Sequence, residues 1–383
     1  MTTLDDYARR KVRALDDVSL LRRLRTIDTE DAHHVRGSAA INFCSNDYLG
    51  LASDRRLATV AADAARTHGA GAGASRLVTG NHSLYDILER KIAALKGCEA
   101  ALVFGSGYLA NVGTIPALVG AGDLVLADTL SHACMMSGAR LSGARVVLFR
   151  HNDVTHLSEL LSEYRAGARH CLVLTEGVFS MDGDVAPLPS ILAAARAHDA
   201  WVMTDDAHGL GVLGRGRGSA VHWGVTPDVQ MGTLSKAVGS YGGYVAASRA
   251  VVDLLVNRAR SLIYATGLPP TVIAASIAGI DIIAGDAALC ALPLARARLF
   301  ATELGLPEPS SPIVPLILGS SEAALAASQA LEARGFLVTA IRPPTVPDGS
   351  ARLRVTFTAA HREADVVRLA EAMRGLLPEA GRR

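Results

Sequence analysis

Paired cysteines are missing from this chain. Its five, Cys44, Cys98, Cys134, Cys171 and Cys290, are odd in number and scattered, without a CxxC pair or zinc-type spacing. That argues against a disulfide framework or zinc ribbon and fits free thiols in a reducing compartment. A charge excess is missing as well: 38 Lys and Arg face 37 Asp and Glu, a formal net charge of +1, so nothing advertises nucleic acid as a partner. The most apolar stretch, Leu268 to Ala295, is interrupted by Asp281 and Asp286 before about 18 uncharged residues accumulate, so a buried helix is expected there and no membrane span. The first residues, MTTLDDYARRKVRALDD, lack the apolar core of an export signal, and a cytoplasmic location is expected. Neither the GxSxG elbow of a hydrolase nor the HExxH helix of a zinc protease occurs, and internal repeats and low-complexity runs are absent.

What is present is length and alternation. A chain of 383 residues, half of them hydrophobic, exceeds the roughly 250 to 300 residues at which one core stops growing, so a large and a small domain are expected. Short β-rich runs alternate with Ala- and Leu-rich helical runs, the pattern of an α/β fold with a mainly parallel sheet between helices. The expected strands are Ala101 to Phe104, Leu124 to Ala127, Arg145 to Phe149, Cys171 to Thr175, Trp201 to Thr204, Val229 to Gly232 and Gly243 to Ala247, all short continuous apolar runs. Ser83 and Asp86 resemble a capping pair opening a helix that ends at Lys96-Gly97, and another helix should follow Pro187. Past Leu268 to Ala295 the pattern changes: Ile313 to Leu318, Glu322 to Arg334, Leu353 to Phe357 and Glu363 to Leu377 suggest a smaller α+β unit. The expected division is an N-terminal helical segment over 1–40, a large cofactor-binding domain over 41–285 and a small C-terminal domain over 286–383. Gly69 to Gly73 and Gly214 to Gly218 read as loops that something approaches closely.

Four features carry chemistry. Lys236, in Thr233-Leu-Ser-Lys236-Ala-Val-Gly239, follows a predicted strand among small residues, where a partly desolvated amine serves as nucleophile and base, although most lysines are simply solvated. Asp205, Asp206 and His208 follow the strand Trp201 to Thr204 at the end where open α/β sheets bind ligands. Loop capping or a metal pair are the competing uses of those carboxylates, but no third ligand is evident and no metal is expected. An amine for an aldehyde and an anion for a ring nitrogen are what pyridoxal 5'-phosphate requires. His132, after Leu124 to Ala127, could stack on such a ring, and Phe104-Gly105-Ser-Gly107-Tyr108-Leu-Ala-Asn111 joins a strand to a helix whose N-terminal amides could cradle a phosphate. The same loop loosely matches GxGxxA, which keeps a nicotinamide-dependent oxidoreductase open as an alternative.

Taken together, Asn42-Phe-Cys-Ser-Asn46-Asp47-Tyr48-Leu49-Gly50-Leu51, Ser131-His132, TEGVFSMDGD from Thr175, DDAHG from Asp205 and TLSKAVG from Thr233 resemble the α-oxoamine synthases, in order and over essentially the whole chain. The resemblance implies the fold-type I aminotransferase fold, with a seven-stranded sheet, and condensation of an amino acid with an acyl thioester with loss of carbon dioxide. It also implies roles. Lys236 would take the cofactor aldehyde, Asp205 would pair with the ring nitrogen, His132 would stack on the ring, and His208 and Ser180 would serve its phenolic oxygen. Gly107, Tyr108 and Thr233 would hold the phosphate, and Thr266 would reach the phosphate of a partner subunit, so a homodimer with shared sites is implied. Arg354 would hold the amino acid's carboxylate, Asn46 and Thr356 are further expected substrate contacts, and Arg22, in a register shared with Arg23 and Arg25, would meet the acyl substrate.

The runs Ile341-Arg342-Pro343-Pro344-Thr345-Val346-Pro347, Ala351 to His361 and His151 to His156 are similar to the branch of the family that joins L-alanine to a pimeloyl thioester, on coenzyme A or a carrier protein, in biotin biosynthesis. TLSKA is shared with the glycine-using branch that makes 2-amino-3-oxobutyrate, which stays an alternative. Two departures stand out: TLSKAVGSYGG replaces the TFGKGFG run of some members, and Cys44 stands where serine is common.

Overall fold

Residues 2–31, 33–35 and 37–376 are described by a computed structural model. The strands are β1 (Ile41–Asn42), β2 (Ala100–Phe104), β3 (Leu124–Asp128), β4 (Arg145–Phe149), β5 (Cys171–Glu176), β6 (Trp201–Asp205), β7 (Val229–Thr233), β8 (Gly243–Ala247), β9 (Ile313–Gly319), β10 (Phe336–Leu337), β11 (Thr339–Ile341) and β12 (Ala351–Thr356). Seven of them form one sheet in the order β2-β8-β7-β6-β5-β3-β4. Only β8 runs against its neighbours, so the expected mainly parallel sheet is present. Its alternation explains the continuous apolar runs. Ala101 and Val103 of β2 face one core with Leu88, Ile92 and Ile280, whereas Leu102 and Phe104 face the other with Ile115 and Leu255. A strand buried on both faces has no room for polar alternation.

The topology removes the dinucleotide reading of the Gly105–Gly107 loop. The helix Gly107–Leu118 leads from β2 to β3, and β8, β7, β6 and β5 lie between those two strands. The compact βαβ unit that gives the GxGxxA fingerprint its meaning is therefore not formed.

Asp286 breaks the apolar stretch into helices Pro270–Gly285 and Ala287–Leu304, which meet at 80°, and its carboxylate accepts from Leu289 N at 2.8 Å to start the second. No single described helix is long and apolar enough to cross a membrane. Beyond this turn, β9, β12 and β11 form an antiparallel sheet, and Phe300, Leu331, Leu353, Phe357 and Leu369 share its core. Ile41 and Phe43 also pack there, because β1 pairs in parallel with β10; the stretch expected to open the large domain thus bonds to the C-terminal one. The first helix, Leu4–Asp16, has a Thr3–Asp6 capping box and no buried residue. The helix Leu84–Lys96 forms as expected and ends on Gly97 at φ 68°, but Ser83 makes no side-chain cap. His82 Nδ1 accepts from Leu84 N at 3.2 Å instead.

Candidate active site

The strands run one residue further than their apolar content suggests, so Asp128, Glu176, Asp205 and Thr233 each close a strand and gather at the carboxyl edge of the sheet, where such folds bind ligands. Lys236 lies in the turn after β7. Gly239 in that turn has φ 71°, and a Cβ there would come within 2.4 Å of the Leu51 carbonyl carbon, so the turn is packed against the Asn46–Leu51 loop. Lys236 Nζ is 2.7 Å from His208 Nε2, and His208 Nδ1 is 2.6 Å from the hydroxyl of fully buried Tyr48. Burial pulls the Lys236 amine down to about 8 against the opposing pull of Asp205 and Glu176. Burial, with Lys236 and Arg354 nearby, also keeps His208 neutral, far below the usual histidine range.

Asp205 receives Asn111 Nδ2 at 2.8 Å and Ala207 N at 3.0 Å, which fixes its carboxylate within the pocket. Asp206 does not share a cation with it. Its carboxylate meets Lys96 Nζ at 2.6 Å, both side chains fully buried, and accepts from Ser219 N at 3.1 Å. A Cβ on Gly177, Gly209 or Gly218 would fall within 2.5, 2.0 and 1.8 Å of that carboxylate. Glycine is thus required around Asp206, which accounts for Gly218, while Gly214 and Gly216 of the same loop are crowded by His222 N and Cys290 Sγ.

His132 begins the helix Ala133–Ser142, and its Nδ1 accepts from Cys134 N at 3.2 Å. Its backbone N–H donates to Glu176 Oε1 at 2.6 Å. Burial pushes the Glu176 carboxyl well above the usual carboxylate range, with Asp205 adding to the effect. His151 bridges two loops of the site: Nδ1 is 3.0 Å from Asp128 and Nε2 is 2.8 Å from Asp184. Burial disfavours its charge, yet the two carboxylates raise it to about 10.

Arg354 brings a buried guanidinium to the site. Arg354 on β12 donates from Nε to Ser180 O at 2.5 Å, and from Nη1 to Asn46 Oδ1 at 3.1 Å and Thr356 Oγ1 at 3.0 Å. Its buried Nη2 has no protein partner. A buried guanidinium N–H left open in this way calls for an acceptor from outside the chain. Ser106 Oγ caps the helix Gly107–Leu118 by accepting from Leu109 N at 3.1 Å. The first-turn amides have no intrahelical acceptor. A Cβ on Gly107 would sit 3.4 Å from Thr233 Cβ, and one on Gly243 would sit 2.5 Å from Gly107 N, so a bare helix terminus lies directly beside Thr233. Tyr108 is half exposed, with its hydroxyl 3.2 Å from Ser137.

Most of the expected residues therefore converge, and two stand apart. Thr266 bridges to Ser75. Arg22 donates to Thr345 Oγ1 at 3.1 Å beside a cavity of about 440 Å³ lined by Arg23, Thr339 and Arg342. That cavity abuts β11, where Thr339 is the register partner of Arg354. Tyr48, Asn111, Glu176 and Lys96 were not foreseen as site residues. Tyr48 lies inside the run from Asn42 to Leu51, and Asn111 is one helical turn from Gly107. A partly buried amine, a fixed carboxylate, a neutral imidazole and an open helix N-terminus at one edge of the sheet match the donor set pyridoxal phosphate needs.

Residues 38–373 match the family described as aminotransferase class I and II. A Methylobacterium sp. (strain 4-46) protein named 8-amino-7-oxononanoate synthase is 57% identical, over 97% of this chain and 96% of its own length. A Maricaulis maris (strain MCS10) protein of the same name is 55% identical, over 99% and 97%. Among solved structures, a serine palmitoyltransferase from S. paucimobilis with a bound PLP–myriocin aldimine superposes with a TM-score of 0.88 at 29% identity, covering 97% of this chain and 96% of that one.

Proposed function

This chain belongs to the class I and II aminotransferase family, and we propose that it acts among the 8-amino-7-oxononanoate synthases that it resembles most of its length. It has the fold-type I architecture and is a pyridoxal phosphate-dependent acyltransferase. The reaction condenses L-alanine with a pimeloyl thioester, on coenzyme A or a carrier protein, to 8-amino-7-oxononanoate, free thiol and carbon dioxide, a step of biotin biosynthesis. The observation that carries this reading is the open Nη2 of Arg354 in the pocket of the partly buried Lys236 amine, where the two cations sense each other. An amino acid's carboxylate satisfies the first, and its α-carbon then lies toward the second.

Bound here, pyridoxal phosphate supplies an aldehyde for amines and a protonated ring that withdraws electrons from the bonds at the α-carbon. Lys236 would hold its aldehyde, Asp205 its ring nitrogen, His132 its ring face, His208 and Ser180 its phenolic oxygen, and Gly107, Tyr108 and Thr233 its phosphate. Lys236 Nζ, freed from the aldehyde when the amine of alanine takes its place, would accept the α-proton of alanine, and its lowered basicity matches that task near neutral pH. The α-carbon forms a bond to the thioester carbonyl while the C–S bond breaks, and the thiolate leaves and takes a proton from solvent. Arg354 then releases the alanine carboxylate as carbon dioxide, and Lys236 returns a proton to the same carbon. Asn46 and Thr356 keep the Arg354 fork aligned through its Nη1. Arg22 meets the acyl chain from the neighbouring cavity, and Thr266 completes the site of a second copy in a cytoplasmic homodimer.

Thiol release by the cofactor-loaded protein tests the assignment. Pimeloyl-CoA with L-alanine should release thiol selectively over acetyl-CoA with glycine. Preference for the second pair would move the chain to the 2-amino-3-oxobutyrate ligase branch.

A further inference from the structure

Tyr48 takes no part in the chemistry above, yet it ends a chain of contacts: Tyr48 Oη to His208 Nδ1 at 2.6 Å, and His208 Nε2 to Lys236 Nζ at 2.7 Å. Its own position is firmly set. Asp47 beside it accepts from Leu51 N at 2.9 Å and Ala52 N at 3.1 Å, Gly50 takes φ 70°, and the Tyr48 carbonyl accepts from Ala359 N at 2.7 Å. A neutral imidazole offers one donor and one acceptor, and the partner of one nitrogen decides what the other presents.

We propose that Tyr48 is a positioning residue that fixes the proton of His208 on Nε2, so that this nitrogen faces Lys236, and the phenolic oxygen of bound pyridoxal phosphate, as a hydrogen-bond donor. The clause about the cofactor rests on the function proposed above; the rest concerns the protein alone.

The hydrogens of the chain can be placed one by one. Tyr48 is completely buried; the Arg354 guanidinium, which can only donate, faces its hydroxyl, and His208 Nδ1 at 2.6 Å is the acceptor within its reach. Were the histidine hydrogen on Nδ1, it would donate to Tyr48 Oη, and the phenol's own hydrogen would be buried without an acceptor, which folded proteins avoid. Tyr48 therefore donates, burial holding its phenol protonated with a value raised to about 12. Nε2 then carries the hydrogen and needs a lone pair opposite it. An amine has one and an ammonium has none, so the tyrosine at one end of the chain favours the neutral, nucleophilic form of the lysine at the other. Other groups face this chain. Asp205 from β6, Glu176 from β5, Arg354 from β12 and Cys134 from the helix after β3 act on Lys236 by charge. His208 is faced by Lys236, Arg354 and His132. His208 alone among the described residues hydrogen-bonds to Nζ.

Nitrogen-15 NMR of full-length, histidine-labelled protein, with and without pyridoxal phosphate, reads the tautomer directly once the His208 signals are assigned by their loss in His208→Gln. The wild type should show hydrogen on Nε2 and a bare Nδ1; hydrogen on Nδ1 overturns the proposal whatever the variants do. In Tyr48→Phe, which removes only the hydroxyl, the signals should move toward a mixture of tautomers. In cofactor-free protein, the pH midpoint for labelling the Lys236 amine should rise by about one unit, a tenfold drop in the neutral fraction. A variant with a lower melting temperature but unchanged tautomer and midpoint would reduce Tyr48 to a packing residue and overturn the proposal. None of these readouts uses a substrate, so they stand apart from the thiol-release assay.

Discussion

At the scale of single residues, the site divides into groups that do chemistry and groups that hold them. Lys236→Ala should lower turnover by roughly three orders of magnitude or more while the melting temperature stays near wild type. Thiol release at an undiminished rate would remove Lys236 from its role. Lys96 belongs to the second kind. Replacing it with methionine leaves the Asp206 carboxylate, fully buried, without its counter-ion, a loss of about 3–5 kcal/mol readable in urea unfolding. A variant of wild-type stability would show that water reaches Asp206. Lys236, Asp205, His132, His208 and Arg354 were legible because each sits in a short motif with a chemical reason for its residue type. Lys96 was not, because it occupies the last turn of a helix with ordinary amphipathic spacing, and its partner lies 110 positions away.

At the scale of elements, His151 joins the loop after β3 to the loop after β5 through Asp128 and Asp184. Its folded value, about 10, lies above the ordinary 6.5. The stability it contributes is therefore complete below pH 6.5 and is lost as pH rises toward 10. Melting temperature plotted against pH should fall over that window in the wild type and fall less in His151→Asn, and parallel curves would refute the clasp. The Ser106 cap predicts a smaller effect. Ser106→Ala should cost about 1 kcal/mol and weaken cofactor retention, measured by equilibrium dialysis, because the same turn presents the helix N-terminus. Strand positions could be read from the sequence because a doubly buried strand must be apolar throughout. Their last residues could not, since Asp128, Glu176, Asp205 and Thr233 are polar and end the hydrophobic signal one position early. The Ser83 cap failed for a local reason: Ser83 itself takes helical angles, φ −57° and ψ −24°, unlike the extended backbone a side-chain cap needs.

At the scale of the whole molecule, Thr266 is bridged to Ser75, and its proposed role belongs to the site of a second copy. The proposed homodimer predicts that cofactor retention falls on dilution in step with the monomer fraction, followed together by sedimentation and visible absorbance. Retention unaffected by dissociation would mean that each protomer holds the phosphate alone. Alternation of strands and helices made the large sheet legible, but the attachment of residues 41–43 to the C-terminal sheet was not, because a two-residue strand has no periodicity to read. That attachment bears on how the protein comes into being. Ile41 N bonds to Gly335 O and Phe43 N to Leu337 O, so a ribosome must release the chain through Leu337 before the segment leading into Asn46 and Tyr48 finds its seat. Arg354, its companion across the pocket, is translated later still. A nascent chain can settle its central sheet early, but the catalytic site is assembled only after Arg354 has emerged, which leaves products cut short of it folded in part and without activity.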